Sequence, residues 1–199
     1  MNSTRIRFIF LAFSAAALLS CGRSATSTEK TSFSTADSLT DRYLSLQDTL
    51  VHVWNKLIHD ENERIRTMEK VLTELNKQSG EASLSSLETR FGQIKELRIT
   101  PKTLSNPNVL EEYDFAHESL ISELMTASSN LSIINQPSFQ QLLDNIKITE
   151  VQINLKRSDY DSIAQAFNTF LKKHKSTLKQ IDQTCNLEQR YLFNSVVKK

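Results

Sequence analysis

The chain has 199 residues, with 24 basic and 23 acidic side chains and a formal charge of +1. A balance this near neutrality supplies no long-range field to attract nucleic acid, and that class of partner is set aside. Hydrophobic residues make up 39% of the chain, which suits the narrow core of an elongated bundle in one domain and is low for a thick globule.

The first two dozen residues carry a recognisable address. Arg5 and Arg7 make a short positive region, and Phe8 to Leu19 (FIFLAFSAAALL) is an apolar run well short of the ~20 residues a membrane-spanning helix needs. Leu18-Leu19-Ser20-Cys21 then resembles a bacterial lipobox, in which the cysteine thiol takes a diacylglycerol thioether and becomes residue one after cleavage. An ordinary signal peptidase site wants a small residue where Leu18 stands. A membrane anchor would not stop at Cys21-Gly22-Arg23-Ser24. The expectation is therefore a signal peptide over 1–20 and lipidation, palmitate included, at Cys21. Cleavage there removes Arg5 and Arg7 and no acidic residue, so the mature charge becomes −1.

Gly22 to Phe33 is rich in Ser and Thr and has no hydrophobic period. With Cys21 it reads as a flexible tether over 21–35, ahead of a helical domain over 36–199. No acidic residue precedes Glu29 after the cysteine. In a two-membrane cell that pattern favours outer-membrane anchoring with the domain facing the periplasm. Lipid on Cys21 also leaves Cys185 without an intramolecular partner, so stability has to come from packing, and Cys185 reads as a half-buried small residue.

From Leu39 the pattern becomes helical. Leu39, Tyr43, Leu46, Leu50, Val53/Trp54, Leu57, Glu61, Ile65, Met68, Val71/Leu72 and Leu75 recur at alternating three- and four-residue steps, and Gly80 lies just beyond. This is one amphipathic helix of about 40 residues, with a coiled-coil-like seam. Glu61 is the one charged residue in the stripe, read as a carboxylate reaching out to the seam edge. All three prolines and two of the three glycines fall between Gly80 and Pro137, so the turns lie there. Leu84 to Leu97 gives a helix of about four turns, Thr100-Pro101 to Asn106-Pro107 a loop, and Asn108 to about Leu131 a further helix with Leu110, Tyr113/Asp114, His117, Leu120/Ile121, Leu124 and Met125 on one face.

A second long stripe starts at Pro137-Ser138, where Ser138 and Gln141 suit a capping box. It runs through Phe139, Leu142/Leu143, Ile146, Thr149, Ile153, Arg157, Tyr160, Ile163/Ala164, Phe167, Leu171, His174, Leu178 and Ile181, ending at Lys175 or beyond. Cys185 to Val197 is expected to form a short terminal helix. The expected fold is all-α: an elongated antiparallel up-and-down bundle of three to four long helices, with Leu50, Trp54, Leu57 and Ile65 facing Ile146, Ile153, Tyr160, Phe167 or their neighbours across one seam.

Two segments resemble the LemA family of membrane-anchored helical bundle proteins. Asp48 to Leu72 is similar to that family's opening helix, with Trp54 and Arg64 at its Trp and Arg positions. Phe139 to Thr169 matches its later pattern through Phe139 and Leu142, Thr149-Glu150, Lys156-Arg157, Tyr160-Asp161 and Phe167-Asn168. The family's Ile-Pro-Asn-Leu step reads Met68-Glu69-Lys70-Val71, its Tyr-Pro turn is replaced by Ile133 to Pro137, and its proline-containing C-terminal segment is not recognisable. The resemblance implies an anchored, outward-facing bundle in a family without established catalytic residues.

No motif assigns chemistry. His52 and His59 share a face but stand seven residues apart, too far for one metal, and His117 and His174 fall on apolar faces. Asp60-Glu61-Asn62-Glu63 reads as a solvated face, and Lys172-Lys173-His174-Lys175 with Lys179 as a solvated turn balancing the helix dipole. Glu150, Arg157 and Tyr160 read as an ion-pair group that sets register. Three isolated glycines build no phosphate loop, and neither a nucleophile elbow nor a Cys-His pair is present. No catalytic, cofactor-binding or metal residue is therefore assigned, and Cys21 is the one site residue. The expected role is a non-enzymatic, lipid-anchored bundle presenting a surface to an envelope protein. The alternatives are a periplasmic chaperone-like or ligand-binding bundle, or a hydrolase whose groups converge only in space.

Overall fold

The computed structural model describes residues 34–79, 84–129 and 131–196, all within one compact unit, Ser34–Lys199. The signal peptide, the lipobox at Cys21 and nearly all of the tether lie outside the described residues. Among the described residues, four α-helices follow one another: α1 (Thr35–Ser79), α2 (Ser85–Glu96), α3 (Pro107–Ser129) and α4 (Pro137–Ile181). Three single-turn 3₁₀ helices, Thr103–Ser105, Ser132–Asn135 and Phe193–Val196, punctuate the connections. The fold is an all-α bundle, as the periodicity requires.

The two long helices have 45 residues each, roughly 68 Å at ~1.5 Å per residue. They pair antiparallel. Tyr43 packs against Phe167, Trp54 meets Tyr160 edge-on, and Arg64 meets Glu150. The two numbers in each pair rise and fall in opposition, so the seam keeps one register over most of its length. The buried α4 residues Phe139, Ile146, Ile153, Tyr160 and Phe167 repeat every seven, as do Leu143, Ala164, Leu171 and Leu178 with Glu150 and Arg157 between them. That repeat is what two supercoiled helices need to stay in contact.

Helix starts follow local chemistry. At α1, Ser34 and Asp37 form a reciprocal box: the Asp37 amide donates to Ser34 Oγ at 3.2 Å and the Ser34 amide to Asp37 Oδ2 at 2.8 Å. The Ser34 hydroxyl, which also donates to Asp37 Oδ2 at 2.8 Å, and then the Ser34 amide hold the Asp37 carboxyl below its usual range. The expected box at Ser138 does not form. Pro137 is already the first helical residue, and Gln136, in extended backbone, precedes it without a side-chain cap. A proline whose missing N–H needs no partner serves as the start instead. At Leu97, α2 has already turned extended, so that helix has three turns and not four.

The core divides in two. In one half, Met68, Val71, Leu72 and Leu75 of α1 and Phe139, Leu143 and Ile146 of α4 pack with Leu87, Phe91 and Ile94 of α2 and Leu120 and Leu124 of α3. This is a four-helix section. In the other half, Leu46, Leu50, Leu57, Ile153, Phe167 and Leu171 are covered by the start of α3, by Ile99 and Leu104 of the connecting loop, and by Leu187 and Phe193. Trp54 is partly buried against this second set. Each fully buried side chain of this size contributes ~1.5–3 kcal/mol.

The expected terminal helix over Cys185–Val197 is absent. Residues 185–192 have no helical structure, and a single 3₁₀ turn, Phe193–Val196, follows. The segment runs back along α4, and its backbone is taken up by α4 side chains instead of by itself. The Arg190 amide donates to Asn168 Oδ1 at 2.7 Å, while Asn168 Nδ2 donates to the Arg190 carbonyl at 2.8 Å. The Phe193 and Asn194 amides donate to the two oxygens of Asp161 at 2.7 and 2.9 Å. Tyr43 Oη closes the near end by donating to the Asn186 carbonyl at 2.7 Å. Fixed this way, Phe193 packs against both Trp54 and Tyr160, with the Arg157 guanidinium over its ring.

Candidate functional site

The boundary between the two cores is a layer of buried charge. Glu61 and Arg64 are each 3% exposed. Glu61 therefore does not reach out to the edge of the seam, and within Asp60–Glu63 it is the one residue turned fully inward. Arg64 takes the seam place expected of Ile65, which is only half-buried. The reason is its partners. Arg64 bonds Glu61 one turn earlier on α1 and, through Nη1, Glu150 Oε1 of α4 at 2.5 Å. From α4, Arg157 grips Asp114 of α3 with both terminal nitrogens, at 3.0 and 2.8 Å, and reaches Glu61 Oε1 at 3.3 Å. Tyr113 donates to Glu61 Oε2 at 2.8 Å.

Three carboxylates and two guanidiniums leave one excess negative charge. It is tolerable because Asp114 and Glu150 stand at the rim, with side chains 34% and 28% exposed, while Glu61 is fully enclosed by donors. Burial opposes the charge on Arg64, but Glu61 and Glu150 outweigh it and hold its pKa above the ordinary value. Burial also pushes the Tyr113 hydroxyl up, and Glu61 adds to that. Both groups thus keep their protons, as donors must. Glu150 and Arg157 do form the expected interhelical ion pairs. Tyr160 stands apart: its buried hydroxyl has no hydrogen-bond partner, and its ring packs on Trp54 and Phe193.

His117 lies beside this layer, 1% exposed, with its ring over Tyr113. Its Nδ1 is 2.8 Å from the Tyr113 carbonyl. A carbonyl accepts only, so the proton of the neutral ring sits on Nδ1, which leaves Nε2 an acceptor without a donor. Burial, then the nearby Arg64, drives its pKa down to about 4. His117 is a packed neutral histidine. His174 is half-buried against Phe170, whereas His52 and His59 are exposed. Cys185 is a half-buried free thiol. Among the described residues, no three His, Cys, Asp or Glu side chains come together in a way that would hold a metal ion, and no helix is long and apolar enough to cross a membrane.

The other feature with the shape of a site is a cleft. It measures about 1000 Å³ and opens between the Thr100–Ser105 loop, the later turns of α4 and the returning C-terminal segment. Lys102, Lys172, Lys175 and Arg190 line it, and Glu188 is the single carboxylate of its wall among the described residues. Pro101, Leu171 and Leu187 give it an apolar floor. The sequence marks Lys172 and Lys175 as a basic cluster, but Lys102 and Arg190 join them only through the loop and the returned segment.

Comparison with family models, curated proteins and solved structures gives no match.

Proposed function

We propose that this chain is a lipid-anchored, non-enzymatic helical-bundle lipoprotein of the cell envelope, of the LemA-like type, that presents an interaction surface to an envelope protein. The observation that carries the reading is Leu18-Leu19-Ser20-Cys21, placed after an apolar run of signal-peptide length and ahead of a single helical unit. Glu61, Arg64, Asp114, Glu150 and Arg157 are spent on one another in the charged layer, which supports a scaffold more than a reaction centre. Outer-membrane anchoring with the bundle facing the periplasm belongs to the same reading, from the absence of acidic residues between Cys21 and Glu29. The test is metabolic labelling with palmitate in a bacterial host. The wild-type chain takes up label and is shortened by cleavage. Cys21→Ser remains unlabelled and uncut at that position. Equal labelling of both would overturn the assignment.

A second reading, a ligand-binding bundle, is favoured by one observation: the open cleft with four converging cations.

A further inference from the structure

We propose that the cleft between the Thr100–Ser105 loop, α4 and the C-terminal segment binds an anionic phosphate group, held by Lys102, Lys172, Lys175 and Arg190. The proposal rests on the ligand-binding reading and not on lipid at Cys21.

Three observations carry it. The four cations come from three separate segments and converge on one concave surface, with Glu188 as the only opposing charge in the wall among the described residues. None of the four takes part in an ion pair among the described residues, whereas Arg64, Arg66 and Lys77 of α1 and Lys147, Lys156 and Arg157 of α4 do. The macrodipole of α4 does not account for them either. That field fades within the last turn, and Lys172 and Lys175 stand before it, ahead of the end at Ile181. Like charges gathered without partners repel one another, and an anion in the cleft relieves the repulsion.

The geometry favours phosphate over a lone carboxylate. Lysines approaching from different sides act as point charges around a tetrahedral group, whereas a planar carboxylate is matched by one guanidinium fork. Arg190 is already oriented, its guanidinium over the Phe167 ring and its backbone clamped by Asn168. The cleft is also at the end of the bundle where α1 begins, since Tyr43 lies beside Phe167 and bonds Asn186. Phosphate could therefore reach it from an anionic phospholipid headgroup or as a soluble ion, and the experiment separates these sources.

The full-length chain carrying Cys21→Ser, which removes any thioether lipid, is titrated with inorganic pyrophosphate by calorimetry. It is also sedimented with vesicles of phosphatidylcholine alone or mixed with phosphatidylglycerol. Lys172→Gln with Lys175→Gln, both at exposed positions, is compared with Lys70→Gln and Lys77→Gln, exposed near the opposite end of α1. The expected result is that the first pair weakens binding roughly twenty- to thirtyfold, about fivefold per lysine near a charged surface, while the second pair leaves it unchanged. Loss confined to the phosphatidylglycerol vesicles identifies a headgroup, and loss confined to pyrophosphate a soluble ligand. Absence of binding in both arms, or equal loss in the two variant pairs, overturns the proposal.

Discussion

The two halves of the bundle solve one problem in different ways. Each must cover the same seam between α1 and α4. Toward Ser79 and Pro137 the cover is helical: α2 and α3 supply Leu87, Phe91, Leu120 and Leu124, and their backbones satisfy themselves. Toward Thr35 and Ile181 much of the cover is irregular chain, and irregular chain brings unpaired amides to an apolar surface. The structure answers with side chains of the long helices. Asp161, Asn168 and Tyr43 each accept from or donate to the returning backbone. A helical cover needs only apolar complementarity, whereas an irregular cover needs polar residues placed within the seam-facing surface of its host.

Between the halves, the charged layer ties the comparison together. Two buried guanidiniums and a buried carboxylate cost much to desolvate. Their arrangement makes a slipped register worse, since sliding α1 by a heptad would set one of Glu61 and Arg64 against an apolar residue of α4, Ala164 or Leu143, and the other against a like charge. The largest effect is accordingly expected at Arg64. Arg64→Met leaves Glu61 buried with one fewer donor and is expected to cost about 3–5 kcal/mol in urea unfolding at unchanged m-value. A loss under 1 kcal/mol would mean that the two cores are stable without the layer between them.

His117 gives the layer a pH dependence. Unfolded, its imidazole takes a proton near the ordinary 6.5, and in the folded protein only near 4. Between those values the unfolded state binds more protons, so stability falls as pH drops through the window, by about 3 kcal/mol in all. His117→Leu removes this part of the slope. Unfolding curves of both proteins from pH 7 to 4 check it, and parallel profiles would show that the charged layer titrates without His117.

The smallest effect is the most local. Asp161→Ala removes the acceptor for the Phe193 and Asn194 amides and is expected to cost about 2–3 kcal/mol. Hydrogen exchange should then quicken over 186–194 while Leu120 and Leu124, in the helix-covered half, remain protected. Uniform quickening across both halves would show that the covers act as one cooperative unit.

Much of this architecture was legible in the order of residues, because a helix buries what recurs at its own period. The stripes from Tyr43 to Leu75 and from Phe139 to Leu178 needed no tertiary information, and the prolines and glycines between Gly80 and Pro137 marked where the chain turns. The charged member of the first stripe, Glu61, was visible too. Its burial was not, because its partners Arg157 and Tyr113 lie 96 and 52 residues away, and a carboxylate without visible partners is properly assigned to water. Asp161 and Asn168 were marked only as motif positions of the family resemblance, with no role attached: each looks like an ordinary polar residue on a helix until a distant backbone arrives beside it. The last segment was misjudged for the same reason. Residues 185–192 could have closed their own hydrogen bonds as a helix, but Asp161 and Asn168 offered acceptors and donors on an apolar surface that Leu187 and Phe193 could cover at the same time. Local period determined the helices; which polar groups are buried, and which cations converge on one cleft, was decided only when segments far apart in the chain came to share the same space.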